Sequence, residues 1–358
     1  MTADFTDSRQ WRDPARMKAL VDRINAMATR RWSIMEVCGG QTWTLSRYRL
    51  EELLPSVTMV HGPGCPVCVT PASRIDLAVS LARRPDVIFC SFGDMIRVPG
   101  SESSLLRVRS EGADVRVLYS PLDALAVARE NPDKTVIFFA IGFETTTPAY
   151  ALMAEKARSA GLTNLRLLTS LYRVPPAVRA LKSDPDCHID ALLAAGHVCA
   201  VTGTGEYVSL ARDLEIPVVI TGFEPVDMLL GILRAVEMLE RGETGVDNAY
   251  PRVVAPQGSP LASGAVARVF EPADQTWRGL GLIPDSGMRL RPEYRFLEVT
   301  ADADDGAAPD GCLSARIMKG QCRPEECPLF GRGCTPDHPV GAPMVSSEGV
   351  CAAHHRYL

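Results

Sequence analysis

Short, largely apolar runs alternate with amphipathic stretches along most of the chain. The apolar runs lie at residues 32–37, 57–60, 87–91, 115–119, 135–141, 165–171, 191–195 and 218–220. Runs of this length predict buried strands, and the segments between them carry helical spacing of apolar residues, as at 14–30 and 73–79. Strands that alternate with helices form mainly parallel sheets with right-handed crossovers. The pattern therefore predicts an α/β fold.

Three of the predicted strands end in glycine beside phenylalanine, followed by an acid. The three sites are residues 92–94, 142–144 and 222–224. We interpret this weak repeat as two α/β lobes that face a cleft, because open α/β sheets bind ligands at the carboxyl ends of their strands. Capping of the following helix by Asp94, Thr145 or Asp227 is the alternative for each residue taken singly.

Cysteines also follow predicted strands. Residues 61–71 read HGPGCPVCVTP, and they place Cys65 and Cys68 in a frame of glycine and proline after the strand at 57–60. This spacing fits a zinc half-site or a redox pair, and the stiff frame favours redox or metal chemistry over coincidence. Cys38, followed by two glycines, ends the strand at 32–37 in the same way.

Composition narrows the function classes. The chain has 358 residues, 46% apolar content and a net charge of −5, without a long basic run, which argues against nucleic-acid binding. No apolar run is long enough to span a membrane, and the first residues lack the apolar stretch of a signal peptide. We therefore expect a cytoplasmic protein, in which eleven cysteines indicate metal or redox chemistry rather than structural disulfides.

The segment 311–358 is unusually rich in cysteine. It contains Cys312, Cys322, Cys327, Cys334 and Cys351. Thiolates bind both zinc and iron–sulfur clusters, but zinc ribbons use paired CxxC knuckles, which this segment lacks. Widely spaced single cysteines favour a [4Fe–4S] cluster over structural zinc. The acidic stretch just before it, 301–310, is predicted to be a mobile loop.

With these residues laid out, the chain resembles the HypD family of hydrogenase maturation factors over nearly its whole length. The shared motifs are long and specific, and they lie at residues 36–40, 61–71, 93–100, 142–148, 222–225, 277–281, 326–331 and 344–349. The resemblance implies two Rossmann-like lobes with mainly parallel sheets facing a cleft, plus a cysteine-rich iron–sulfur segment. It divides the chain into an N-terminal helical segment (1–30), a first lobe (31–130), a second lobe (131–245) and a C-terminal region carrying the cluster (246–358).

The resemblance also implies a function, the assembly of the Fe(CN)2CO unit of [NiFe]-hydrogenases. Such a protein is a redox-active scaffold that works with a HypC-type chaperone and a HypE-type protein that delivers cyanide. By motif, Cys38 is the thiolate that binds iron, and Cys65 and Cys68 are the redox-active pair. The cluster ligands implied in the same way are Cys312, Cys327, Cys334 and Cys351, and Cys322 is unmatched.

The chain departs from the family at two places. Relatives often have histidine near Gln41 or Trp43, and many have two further cysteines at the places of Ser314 and Pro343. Two other functions compete with the scaffold: a free-standing iron–sulfur or thiol-disulfide oxidoreductase, and a zinc-stabilised binding module. The absence of GxGxxG and GxxxxGK[ST] motifs argues against a nucleotide-dependent oxidoreductase.

Overall fold

The computed structural model describes residues 8–299 and 311–358. The sequence predictions for the first seven residues and for 301–310 lie outside the described residues. The predicted α/β fold is confirmed, since two parallel sheets are surrounded by helices. Within the described ranges, no helix combines the length and the apolar character needed to cross a membrane.

The strands form two parallel sheets and one antiparallel hairpin. The first sheet has the order β2-β1-β7-β8-β9, the second has the order β4-β3-β5-β6, and β10 pairs with β11. The strands are β1 (Trp32–Glu36), β2 (Val57–His61), β3 (Val87–Ser91), β4 (Val115–Val117), β5 (Thr135–Gly142), β6 (Leu165–Leu171), β7 (Ala191–Ala195), β8 (Pro217–Thr221), β9 (Gly245–Asn248), β10 (Phe270–Trp277) and β11 (Gly281–Leu290).

Helices follow most of the strands, as the alternating pattern predicts. They are α1 (Pro14–Met27), α2 (Gly39–Arg47), α3 (Pro66–Val69), α4 (Ala72–Ala82), α5 (Leu105–Ser110), α6 (Asp123–Glu130), α7 (Thr147–Ser159), α8 (Val174–Lys182), α9 (Gly196–Thr202), α10 (Gly205–Leu214), α11 (Pro225–Glu240), α12 (Pro260–Val269), α13 (Ser314–Met318) and α14 (Val350–Tyr357). Short 3-10 helices include Leu50–Leu53, Pro324–Glu326 and Ala342–Met344. Local capping sets several starts, for example at α1, where the Asp13 carboxylate accepts the Ala15 N–H.

The two sheets do not divide the chain in the order predicted for the lobes. The ranges 31–130 and 131–245 would place β1 to β4 in one sheet, but β1 and β2 pair with β7, β8 and β9 instead. The chain leaves the first sheet after β2, builds the whole second sheet, and returns at β7, which lies between β1 and β8. The predicted grouping of β1 and β2 with β3 and β4 is therefore wrong. Strand pairing depends on long-range contacts, which the apolar runs do not reveal.

An aromatic cluster joins the two sheets. Phe143, after β5, stacks on Trp277 of β10 with ring centroids 6.0 Å apart, and Tyr172 lies 4.8 Å from the same indole. These rings share one buried core with Met35 of β1 and Leu192 of β7. The shared core holds the carboxyl end of the second sheet against the first, where the cysteine motifs lie.

Candidate functional site

Cys38 and Cys65 each begin a helix directly after neighbouring parallel strands. Cys38 follows β1 and caps α2, where its Sγ accepts the Gly40 N–H at 3.4 Å. Cys65 follows β2 and caps α3, where its Sγ accepts the Cys68 N–H at 3.3 Å. The segment read as a stiff loop thus contains one helical turn. Because β1 and β2 are adjacent and parallel, the three thiols share one edge of the sheet.

The loops that carry these thiols touch through their glycines. The Gly39 N–H donates to the Gly64 carbonyl at 3.1 Å, and the Gly62 N–H donates to the Glu36 carbonyl at 2.9 Å. A Cβ atom added to Gly64 would lie 2.4 Å from the backbone nitrogen of Cys38. Only glycine allows this approach, so residue 64 positions Cys65 beside Cys38.

The Cys38 thiol is buried among groups that favour its protonated form. Burial raises its pKa, the Gly40 N–H opposes this rise, and the Glu36 and Glu348 carboxylates add to it. Glu36 also accepts the Cys38 backbone N–H at 2.8 Å. A thiol in this setting stays protonated until a cation binds, because positive charge stabilises the thiolate.

His197, at the start of α9, faces Cys38. Both ring nitrogens lie 3.9 Å from the Cys38 Sγ, and burial lowers the pKa of the imidazole to about 4. A neutral imidazole here can bind a metal ion beside the sulfur. His197 was not among the predicted site residues, although its place just after β7 is a usable signal.

The positions where a family histidine was sought hold other side chains. Gln41 is buried, and its Oε1 accepts the Val37 N–H at 3.2 Å. Trp43 packs edge-on against Tyr357 of α14, with ring centroids 5.9 Å apart. Neither side chain can serve as the histidine found there in relatives. In this chain the imidazole near Cys38 is that of His197.

Two neighbouring cavities lie beside the thiol pair and the C-terminal cysteines. The first is lined by Cys65 and Cys68, together with Glu348 and other residues. The second is lined by cysteines and apolar side chains of the C-terminal segment. Ser314 and Pro343 line both cavities, so they lie between the two groups of thiols. These are the two places where the resemblance led us to look for further cysteines.

Four of the five C-terminal cysteines surround the second cavity. Their neighbours there include Leu313, Ile317, Leu329 and Phe330, and the four are Cys312, Cys327, Cys334 and Cys351. The Val340 N–H donates to the Cys334 Sγ at 3.3 Å. Burial raises the pKa of Cys351, and the three neighbouring cysteines raise it further. Cys322 does not line this cavity and is half-buried outside it.

The donor set fits an iron–sulfur cluster better than a single ion. Thiolates around one zinc ion lie about 3.8 Å apart, given Zn–S bonds of about 2.3 Å in a tetrahedron. Among the described residues, the one group of three or more ligand atoms within 4.8 Å of one another lies elsewhere and includes no cysteine. No three of the four sulfur atoms lie within 4.8 Å of one another, a wider spacing than one zinc ion needs, and the apolar walls and the N–H···S bond are compatible with a cluster.

Comparison with known proteins identifies one family, and the family model and the individual relatives agree on it. The HypD family model, described as "Hydrogenase formation hypA family", matches residues 15–358. The chain is similar to "Hydrogenase maturation factor HypD" from Rhodobacter capsulatus and from Escherichia coli (strain K12), each 43% identical over 97% of this chain and 97% of the relative. The factor of the same name from Rhizobium leguminosarum bv. viciae is 44% identical over 97% of this chain and 94% of its own length.

Proposed function

Because this chain belongs to the HypD family of hydrogenase maturation factors, we propose that it holds iron while cyanide and carbonyl ligands are attached to form Fe(CN)2CO. In this proposal it is a cytoplasmic, redox-active scaffold rather than an enzyme acting on a free small molecule. A HypC-type chaperone shares the iron, and a HypE-type protein delivers the cyanide.

One observation carries the proposal, the convergence of Cys38, Cys65 and Cys68 at one sheet edge. Gly64 brings the loop of the CxxC pair against the backbone of Cys38. Iron that carries cyanide and carbon monoxide favours soft thiolate ligands, and Cys38 supplies one. His197 lies 3.9 Å from this thiol and, as a neutral imidazole, could bind the same iron.

Cys65 and Cys68 form the redox pair in this proposal. Closing a disulfide between them releases two electrons and two protons, and reopening it takes them back. Cys312, Cys327, Cys334 and Cys351 would hold a [4Fe–4S] cluster, which supplies one-electron transfer when bound. The adjoining cavities at Ser314 and Pro343 support electron exchange between the two sites without an intervening thiol pair.

Infrared spectroscopy tests the proposal directly. The chain is purified without oxygen, together with its HypC-type chaperone, and examined for cyanide and carbonyl stretches on iron. We expect these bands with the wild-type chain and with Cys322→Ser, but not with Cys38→Ala. Bands that persist in Cys38→Ala would contradict the role of this thiol.

The same preparation separates the scaffold from a free-standing oxidoreductase. A scaffold shows the bands only with its chaperone and restores hydrogenase maturation in cells that lack their own factor. An oxidoreductase would instead reduce small disulfides at the same rate with and without the chaperone. That result, combined with no ligand bands, would favour the alternative.

A further inference from the structure

A second group of ligand side chains lies apart from the cysteines. Of the residues that the structure describes, Glu51, His61 and His354 each offer a ligand atom within 4.8 Å of the others. His61 and His354 are buried, and their rings meet edge to face with centroids 5.2 Å apart. The Glu51 Oε1 lies 3.1 Å from the Nε2 of His61, and the Glu51 side chain is only 10% exposed.

Each histidine is oriented by a second carboxylate at its other nitrogen. The Nδ1 of His61 lies 2.8 Å from the Glu36 Oε1, and the Nδ1 of His354 lies 2.5 Å from the Glu325 Oε1. This is the arrangement found around protein-bound metals, where an outer carboxylate holds the Nδ1–H and leaves Nε2 free to bind. Both imidazoles therefore have Nε2 as the ligand atom.

The Nε2 of His354 is the observation that points to a ligand. It is buried, and within the described part of the chain it has no hydrogen-bond partner. A buried polar atom without a partner destabilises the fold, because it has lost its hydrogen bonds to water. A cation between the two imidazoles and Glu51 would satisfy it.

We propose that Glu51, His61 and His354 bind a zinc ion that fastens the C-terminal helix to the first sheet. Two imidazoles and one carboxylate form a common ligand set for Zn²⁺, and a water molecule completes the four ligands. No thiol takes part, so this site is chemically distinct from the cysteine cavity.

The position of the site gives the ion a structural role. His61 ends β2, four residues before Cys65, and His354 lies one turn after Cys351 in α14. Zinc would thus hold the helix that carries one C-terminal cysteine against the loop that carries the thiol pair. Glu36 extends the link, because it contacts both His61 and the Cys38 N–H.

A metal-free ion pair is the competing explanation. Burial lowers the pKa of His61, but Glu51 and Glu36 outweigh this effect and raise it to about 10. An imidazolium between two carboxylates satisfies His61 by itself, and Arg323 contacts the other Glu51 oxygen at 2.6 Å. That arrangement leaves the Nε2 of His354 unpaired, whereas zinc engages both histidines.

The test measures zinc, iron and sulfide in the full-length protein, purified without oxygen and desalted after addition of zinc chloride. We expect one retained zinc per chain in the wild type and in His355→Ala, which alters the exposed neighbouring histidine. His354→Phe and Glu51→Gln should lose that zinc while iron and sulfide stay unchanged. Glu325→Gln should weaken zinc binding about 10- to 100-fold, since only the outer carboxylate changes.

X-ray absorption at the zinc edge identifies the ligands. We expect nitrogen and oxygen neighbours with imidazole scattering and no sulfur. Sulfur neighbours, zinc retained in both ligand variants, or a wild type that retains no zinc would each overturn the proposal; the last outcome leaves the ion pair. Iron and sulfide from the same samples keep this result separate from the cluster and from the iron-scaffold function.

Discussion

Gly64→Ala offers a sharp test of how the thiol site is built. The added Cβ would lie 2.4, 2.6 and 2.8 Å from the N, Cα and C atoms of Cys38. All three are backbone atoms, so no side chain can rotate away. The Cys38 backbone is itself held, because its N–H donates to the Glu36 carboxylate at 2.8 Å.

The expected loss has two sources. Overpacking of this kind is destabilising by about 1–3 kcal/mol. Separating the two loops also breaks the hydrogen bond from the Gly39 N–H to the Gly64 carbonyl, which contributes about 1 kcal/mol. We expect the free energy of unfolding to fall by about 2–4 kcal/mol. With a urea slope of about 3 kcal/mol/M, the midpoint falls by about 1 M.

Gly93→Ala is the matched control. Its added Cβ would meet only the Val117 Cγ1, at 3.7 Å, which is an ordinary contact. Its expected effect is at most about 1 kcal/mol, in the stabilising direction. Both variants are compared by urea denaturation followed by circular dichroism, without oxygen. Equal midpoints for Gly64→Ala, Gly93→Ala and the wild type would refute the close packing of the two loops.

Three further predictions concern the cysteines and one buried acid. Cys327→Ser should lose or degrade the cluster in iron and sulfide analysis, whereas Cys322→Ser should keep its full content; iron loss in Cys322→Ser alone would reverse the assignment. Cys38→Ala should keep the cluster's visible absorption while hydrogenase maturation is lost, and maturation by this variant would contradict the iron-binding role. Burial raises the pKa of Glu144 to about 7, so its ionisation destabilises the fold progressively from about pH 4.5 to 7. Between these pH values, Glu144→Gln should remove about 1–3 kcal/mol of the change in the free energy of unfolding, measured by urea denaturation. An unchanged pH profile would count against the buried carboxylate.

Several strands and the candidate cysteines could be predicted from the residues along the chain. The strands predicted at 87–91, 165–171 and 191–195 have the same bounds in the structure, because each is a continuous apolar run that must be buried. The motifs also selected four of the five C-terminal cysteines, the same four that surround one cavity. Such features depend on residue type and local spacing, which can be read along the chain.

Which strands share a sheet, and which polar side chains meet, depends on contacts between distant parts of the chain. The insertion of β7 between β1 and β8 brings His197 to Cys38; the place of His197 after a strand marks it as a candidate but does not say which residue it meets. Likewise, Glu51 and His354 lie far apart in the chain, and no sequence motif links them. These contacts form when buried apolar faces from distant parts of the chain pack together. A polar residue in such a contact can have the same neighbours in sequence as a polar residue exposed to solvent.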